Sequence, residues 1–68
     1  MLKVKITELN GKSYLCDYND RDYLIYNKMM EITDGDHEIS SDAASWCELA
    51  CVGEIYEFRE GYIEIEEV

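Results

Sequence analysis

The most informative stretch of the sequence is LKVKITELNGKSYLCDY, residues 2–18, which has the pattern of a complete β-hairpin. Apolar and polar residues alternate along residues 2–7, as they do in a strand with one buried face. The dipeptide Asn10-Gly11 that follows is a strong signal for a tight turn between two strands. The stretch therefore predicts two antiparallel strands at the start of the chain.

The register of this hairpin follows from matching side chains across it. A three-residue loop at 9–11, with Gly11 in the left-handed conformation, sets Lys3 opposite Asp17, a favourable charge pair. A two-residue loop would instead set Val4 opposite Asp17 and spoil the apolar face, so the three-residue loop is favoured. The apolar pairs predicted by this register are Ile6 with Tyr14, Val4 with Cys16 and Leu2 with Tyr18.

Residues 20–32 fit two structures. Asp20 can cap a helix, and a helix gathers apolar side chains on one side, with Lys28 and Glu31 on the other. A third strand through Tyr23–Tyr26 is the alternative. The helix is favoured because Leu, Met, Lys and Glu are good helix formers. The apolar side of this helix would carry Ile25, Tyr26, Met29, Met30 and Ile32.

A second helix is predicted over residues 42–51, capped by Ser40 or Ser41 and followed by Gly53 in the left-handed conformation. Its apolar stripe would consist of Trp46, Cys47, Ala50 and Cys51. In this stripe we expect Trp46 to close the layer between helix and sheet. A contact with a partner protein is the alternative role for this side chain.

Residues 54–68 predict a second hairpin that turns at Glu60-Gly61. A two-residue loop sets Phe58 opposite Ile63, and Tyr56 opposite Ile65, on an apolar face. The outer face then collects Glu57, Glu64 and Glu66, relieved only by Arg59. Together the elements predict one α+β domain over residues 1–68, with the helices on one face of an antiparallel sheet.

Composition narrows the classes of function. The 68 residues include six Lys plus Arg and sixteen Asp plus Glu, a net charge of −10, yet 47% are hydrophobic. Such a chain is expected to fold, and it lacks the cations that bind phosphate backbones, so direct nucleic-acid binding is not expected. No run of about 20 apolar residues predicts a membrane span. The first ten residues lack a signal-peptide core, which predicts a cytoplasmic protein.

No motif predicts catalysis, a metal or a cofactor. Cys16, Cys47, Cys51 and His37 lack the paired short spacings of zinc ligands. A calcium loop begun at Asp34 would have Ile39 where glycine is needed and Ser45 where glutamate is needed. Acidic surroundings raise the pKa of a thiol, which disfavours cysteine catalysis. We therefore expect a non-enzymatic protein in which all three cysteines are small buried residues.

The acidic side chains suggest a binding surface. Alternate residues of a strand lie roughly 6.6–6.8 Å apart, close to the spacing of phosphates along a DNA strand. Carboxylates at that spacing could imitate a phosphate ladder and occupy the groove of a basic nucleic-acid-binding enzyme, with electrostatic attraction speeding the encounter. The predicted partner-binding residues are Glu57, Glu60, Glu64, Glu66, Asp34 and Asp36, with Trp46 as an aromatic contact.

The last third of the chain resembles a group of known proteins. The run Trp46–Ala50, then Gly53 and Tyr56, then the acidic ending Tyr62–Glu66, is similar to short acidic proteins of phages and mobile elements of Gram-positive bacteria. The resemblance implies an inhibitor of host defence, of the anti-CRISPR kind, which for a phage-encoded protein would act in the host cytoplasm. The sequence leaves the oligomeric state open between monomer and homodimer. The alternative is a small structural or assembly module that self-associates or docks on a phage or host protein.

Overall fold

A computed structural model describes the backbone of residues 1–68 and the side chains of residues 1–20 and 23–68. Four strands form one antiparallel sheet in the order β2-β1-β4-β3. The fold is α+β, as predicted. The elements are β1 Leu2–Glu8, β2 Ser13–Asp17, a 3-10 turn Tyr18–Asp20, α1 Arg21–Ile32, α2 His37–Leu49, β3 Ile55–Phe58 and β4 Gly61–Glu67.

The first hairpin has the predicted three-residue loop. The amide of Glu8 donates to the carbonyl of Lys12 at 2.8 Å, and Gly11 has φ +93°, a conformation that glycine adopts without strain. Lys3 Nζ lies 3.7 Å from Asp17 Oδ1. Of the predicted apolar pairs, Val4–Cys16 and Ile6–Tyr14 form. Leu2–Tyr18 was wrong, because the chain turns into the 3-10 helix at Tyr18.

Residues 21–32 form a helix, not a third strand, and its apolar side is the predicted one. Ile25 and Met29 are fully buried, whereas Leu24 stays exposed. Asp20 occupies the N-cap position, but its side chain makes no capping hydrogen bond with the described residues. Lys28 is not fully solvated, because its Nζ lies 4.4 Å from the centre of the Tyr14 ring, a cation–π contact.

The second helix begins earlier than predicted. Asp36, not Ser40 or Ser41, is its N-cap: Asp36 Oδ1 accepts a hydrogen bond of 3.0 Å from the amide of Ile39. Ser40 lies buried inside the helix, and its hydroxyl donates to the carbonyl of Asp36 at 2.7 Å. The reason is a tight reversal after α1, in which Asp34 and Gly35 both take positive φ and deliver Asp36 to the new helix start.

The end of α2 also corrects the prediction. The helix stops at Leu49, and Ala50 is already extended. Cys51 therefore leaves the helical stripe and is exposed, so the expectation of three buried cysteines was wrong. Gly53, with φ +97°, belongs to the following turn, in which the amide of Glu54 donates to the carbonyl of Cys51 at 3.1 Å, and not to the helix cap.

The C-terminal hairpin forms, but its register is two residues from the predicted one. The turn is Arg59-Glu60, and Phe58 pairs with Gly61. Gly61 is part of the strand because it lies against β1, where a Cβ would overlap the carbonyl oxygen of Thr7. A shift of two residues keeps every side chain on its predicted face, so the apolar face survives.

Both helices cover the same face of the sheet, and the core lies between the helices and that face. Its members are apolar side chains from β1, β2, β4, the two helices and the residue that follows α2. The buried residues are Val4, Ile6, Cys16, Ile25, Met29, Ala43, Cys47, Ala50, Ile63 and Ile65. The other face of the sheet is covered by no described helix. It carries Lys3, Lys5, Thr7, Ser13, Leu15, Asp17, Ile55, Glu57, Tyr62, Glu64 and Glu66.

Candidate functional site

The predicted carboxylate ladder on the last hairpin is interrupted. Glu57 lies opposite Tyr62, not opposite Glu64. Strand β1 lies next to β4 and brings Lys5 beside Glu64, and Lys3 beside Glu66. Lys5 Nζ is 3.7 Å from Glu66 Oε1. The outer face is therefore a mixed charge lattice, and the expectation that Arg59 alone relieves its carboxylates was wrong.

Glu60 lies in the turn between β3 and β4, where it contributes to the structure. Its carbonyl accepts a hydrogen bond of 3.0 Å from the amide of Leu9, which ties the ends of the two hairpins together. The side chain is half-buried, and its Oε1 accepts no hydrogen bond from the described residues. Glu60 therefore lies in the turn at one end of the sheet, apart from Glu64 and Glu66 within β4.

The acidic side chains gather instead around the start of α2. Between residues 29 and 58 the sequence has eight Asp or Glu and no Lys or Arg. Asp36, Glu38 and Asp42 line an open surface depression together with Tyr56 of β3. Asp34 precedes them in the turn. We call Asp34, Asp36, Glu38 and Asp42 the acidic α2 face. None of these four carboxylates pairs with a cation among the described residues.

Two carboxylates of the acidic α2 face also support the fold. Asp36 caps the helix, and Asp42 Oδ2 accepts a hydrogen bond of 2.9 Å from the phenol of Tyr56. Partial burial, this bond and the charges of Asp42 and Asp36 raise the pKa of Tyr56 to about 12. Asp34 and Glu38 are exposed and hold no such bond with the side chains that the structure describes, so they are the members available to a partner.

Trp46 is half-buried on α2, and its ring lies 5.7 Å from that of Tyr56. It packs at the margin of the core, between helix and sheet, which is the first of its two predicted roles. Its neighbour Tyr56 lines the same depression as Asp36, Glu38 and Asp42, and a contact of Trp46 with a partner is still a prediction. The pairing with Tyr56 is a long-range contact that no pattern in the sequence indicated.

The residues considered for catalysis or metal binding are dispersed. His37 Nδ1 lies 2.7 Å from the hydroxyl of Tyr26, a contact between the two helices. Burial raises the pKa of the Cys16 thiol, and nearby Lys28 offsets part of that rise. Among the residues whose side chains are described, no group of three His, Cys, Asp or Glu is placed to hold a metal ion. No helix in the described part of the chain is long and apolar enough to cross a membrane.

No family model, curated protein or solved structure matches the chain. The similarity to phage-encoded acidic proteins therefore remains a hypothesis carried by residues 46–66.

Proposed function

We infer that the protein is a non-enzymatic inhibitor that binds a basic protein partner through the acidic α2 face. The observation that carries the inference is the concentration, at the start of α2, of carboxylates that pair with no cation among the described residues. They lie in a stretch of thirty residues, 29–58, without Lys or Arg. On the sheet, by contrast, lysines of β1 accompany Glu64 and Glu66. A surface of one sign attracts a basic surface and speeds its encounter.

The partner class follows from the same charge. A groove that binds nucleic acid is typically a large cationic surface, and carboxylates on this face would compete with phosphates for it. With the resemblance to phage proteins, this favours a nucleic-acid-binding enzyme of host defence in the host cytoplasm. Trp46, at the edge of the acidic α2 face, would supply an apolar contact within the interface.

The test compares two triple variants that lose the same charge from different faces. Asp34→Asn, Glu38→Gln and Asp42→Asn remove three of the four charges of the acidic α2 face and leave the Asp36 cap in place. Glu57→Gln, Glu64→Gln and Glu66→Gln remove three charges from the sheet and form the matched control. Each variant is used to capture proteins from a Gram-positive host lysate, and the captured protein identified by mass spectrometry is then titrated at low and high salt.

The α2 triple is expected to lose the partner, while the sheet triple retains it with an affinity that falls as salt rises. The wild-type protein should also displace DNA from the captured enzyme. If both triple variants lost the same affinity for the partner, only the net charge of the protein would matter, and the proposed site would be overturned. Capture that neither triple disturbs would favour the alternative, a structural or assembly module that docks by other contacts.

A further inference from the structure

The outer face of the sheet, here called the open sheet face, is unlike the rest of the surface. Large apolar side chains stand on its two edge strands, with Leu15 of β2 60% exposed and Ile55 of β3 54% exposed. Between them lie Lys5 of β1 and Glu64 of β4, which form the middle row of the sheet. The row therefore runs apolar, positive, negative, apolar.

One neighbouring row, Lys3 beside Glu66, repeats this order of charge on the central strands, whereas the other pairs Thr7 with Tyr62. Lys3 precedes Lys5 by two residues on β1, so both point outward, and Glu66 follows Glu64 in the same way on β4. The two central strands thus present a basic column beside an acidic column. Each lysine also has a carboxylate neighbour in its own chain, Asp17 at 3.7 Å from Lys3 and Glu66 at 3.7 Å from Lys5.

This order is complementary to itself under a two-fold rotation. An axis parallel to the strands, between β1 and β4, turns a second copy over and exchanges the two central strands. The basic column then faces the second copy's acidic column. In the middle row, Lys5 faces the second copy's Glu64, and Leu15 faces its Ile55. Two sheets packed face to face keep their strands within about 30° of each other, which preserves these pairings near the axis.

We propose that the open sheet face is a homodimer interface, with a second copy of this chain as its occupant. A second copy is favoured because Lys3 and Lys5 offset two of the four carboxylates on this face, Asp17, Glu57, Glu64 and Glu66, whereas the acidic α2 face has no cation and would repel its own copy. The area of this face limits the affinity of the dimer. Four strands spaced about 4.8 Å apart, with a rise of about 3.3 Å per residue, bury on the order of 1,000 Å² in total, the lower limit of a specific interface. The dimer is therefore weak and depends on concentration.

Sedimentation equilibrium over a wide range of protein concentration tests the interface. The mass should rise from the 8.0 kDa of one chain toward twice that value. Leu15→Asp and Ile55→Asp should each weaken dimerisation by at least about tenfold, because each change occurs twice in a symmetric interface. Leu49→Asp, at an 86% exposed apolar residue at the end of α2, is the matched control and should leave dimerisation unchanged.

A charge exchange tests the two-fold arrangement itself. Lys5→Glu and Glu64→Lys should each weaken the dimer. The double variant should restore it, because the two exchanged side chains would again face each other with opposite charge across the axis. Circular dichroism confirms that every variant is folded.

Two outcomes would overturn the proposal. One is a monomeric mass up to millimolar protein, and the other is a dimer that Leu49→Asp disrupts and Ile55→Asp does not. These measurements need no second protein, so they stand or fall independently of inhibition through the acidic α2 face.

Discussion

The phenol of Tyr56 donates a hydrogen bond of 2.9 Å to Oδ2 of Asp42, and this bond ties β3 to the outer side of α2. The same phenol ring lies 5.7 Å from the ring of Trp46. Tyr56 therefore connects the edge strand, the margin of the core and the acidic α2 face. Ionisation of Tyr56 is therefore expected to change the stability of the whole domain.

The raised pKa of Tyr56 predicts a loss of stability at high pH. Its folded-state pKa of about 12 lies above the ordinary value of 10.0. The contribution is therefore complete below pH 10 and is lost as pH rises from about 10 to 12, where the unfolded chain ionises first. Because the side chain is partly exposed, we expect about 1 kcal/mol from this source, less than the full shift implies.

Urea unfolding between pH 9 and the alkaline limit of the fold measures this effect. Tyr56→Phe should be less stable than the wild type at neutral pH and should show a shallower decline as pH rises. Tyr23→Phe is the matched control, because Tyr23 is 74% exposed. A decline in Tyr56→Phe as steep as that of the wild type would contradict the assignment.

The capping bond of Asp36 predicts a specific cost for its removal. Asp36→Ala leaves the amide of Ile39 without its side-chain acceptor at a helix start, which costs about 1 kcal/mol in the free energy of unfolding. Asp36→Ser should recover most of that loss. Asp20→Ala is the control, since Asp20 also precedes a helix but makes no capping bond with the described residues. Equal effects of the two alanine variants in urea unfolding at high salt would refute the distinction.

Because Gly61 lies against β1, we expect its replacement to lower the stability more than other glycine substitutions do. A Cβ at Gly61 overlaps the backbone carbonyl of Thr7, in the central strand pair of the sheet. Backbone cannot rotate away as a side chain does, so Gly61→Ala should cost about 3 kcal/mol or more. Gly35→Ala meets open space and should cost only about 1 kcal/mol, because its backbone has φ +93°. Thermal unfolding of the two variants gives the comparison, and a smaller loss at Gly61 would contradict the packing.

Local signals in the sequence were sufficient for the first hairpin. The Asn10-Gly11 turn and the alternation on both sides of it fixed the register, because a slip of one residue would expose the apolar face. The start of α2 was harder to find, since several residues there can all cap a helix. Asp36 does so because the preceding turn, with two positive φ values, delivers it to the right place. That choice depends on backbone geometry, not on residue type.

The candidate site was only partly indicated by the sequence, which singled out Asp34 and Asp36 of the acidic α2 face but not Glu38 or Asp42. The other predicted carboxylates were assigned from one hairpin considered alone, without the strand that would lie beside it. The neighbour of β4 is β1, some sixty residues earlier in the chain, and its lysines changed a supposed acidic ladder into a mixed lattice. The pairing of Tyr56 with Asp42 is likewise a contact between distant elements. Contacts of this range depend on how the elements pack, which local patterns do not encode.

The end of α2 predicts that one cysteine reacts far faster than the other two. Cys51 lies beyond the helix and is exposed, whereas Cys16 and Cys47 are buried. Burial also raises the pKa of the Cys16 thiol and so lowers its fraction of reactive thiolate. Alkylation of the buried pair requires local opening of the core. In the folded protein, iodoacetamide should therefore add one group rapidly and further groups at least about tenfold more slowly.

Intact-mass spectrometry over time at neutral pH follows this reaction. Cys51→Ser should abolish the fast addition and leave the slow ones, whereas Cys16→Ser should keep the fast addition. In denaturant, the wild-type protein should gain all three groups at similar rates, which controls for intrinsic reactivity. Fast modification that persists in Cys51→Ser would show that Cys16 or Cys47 is accessible, and it would contradict the burial of these two thiols.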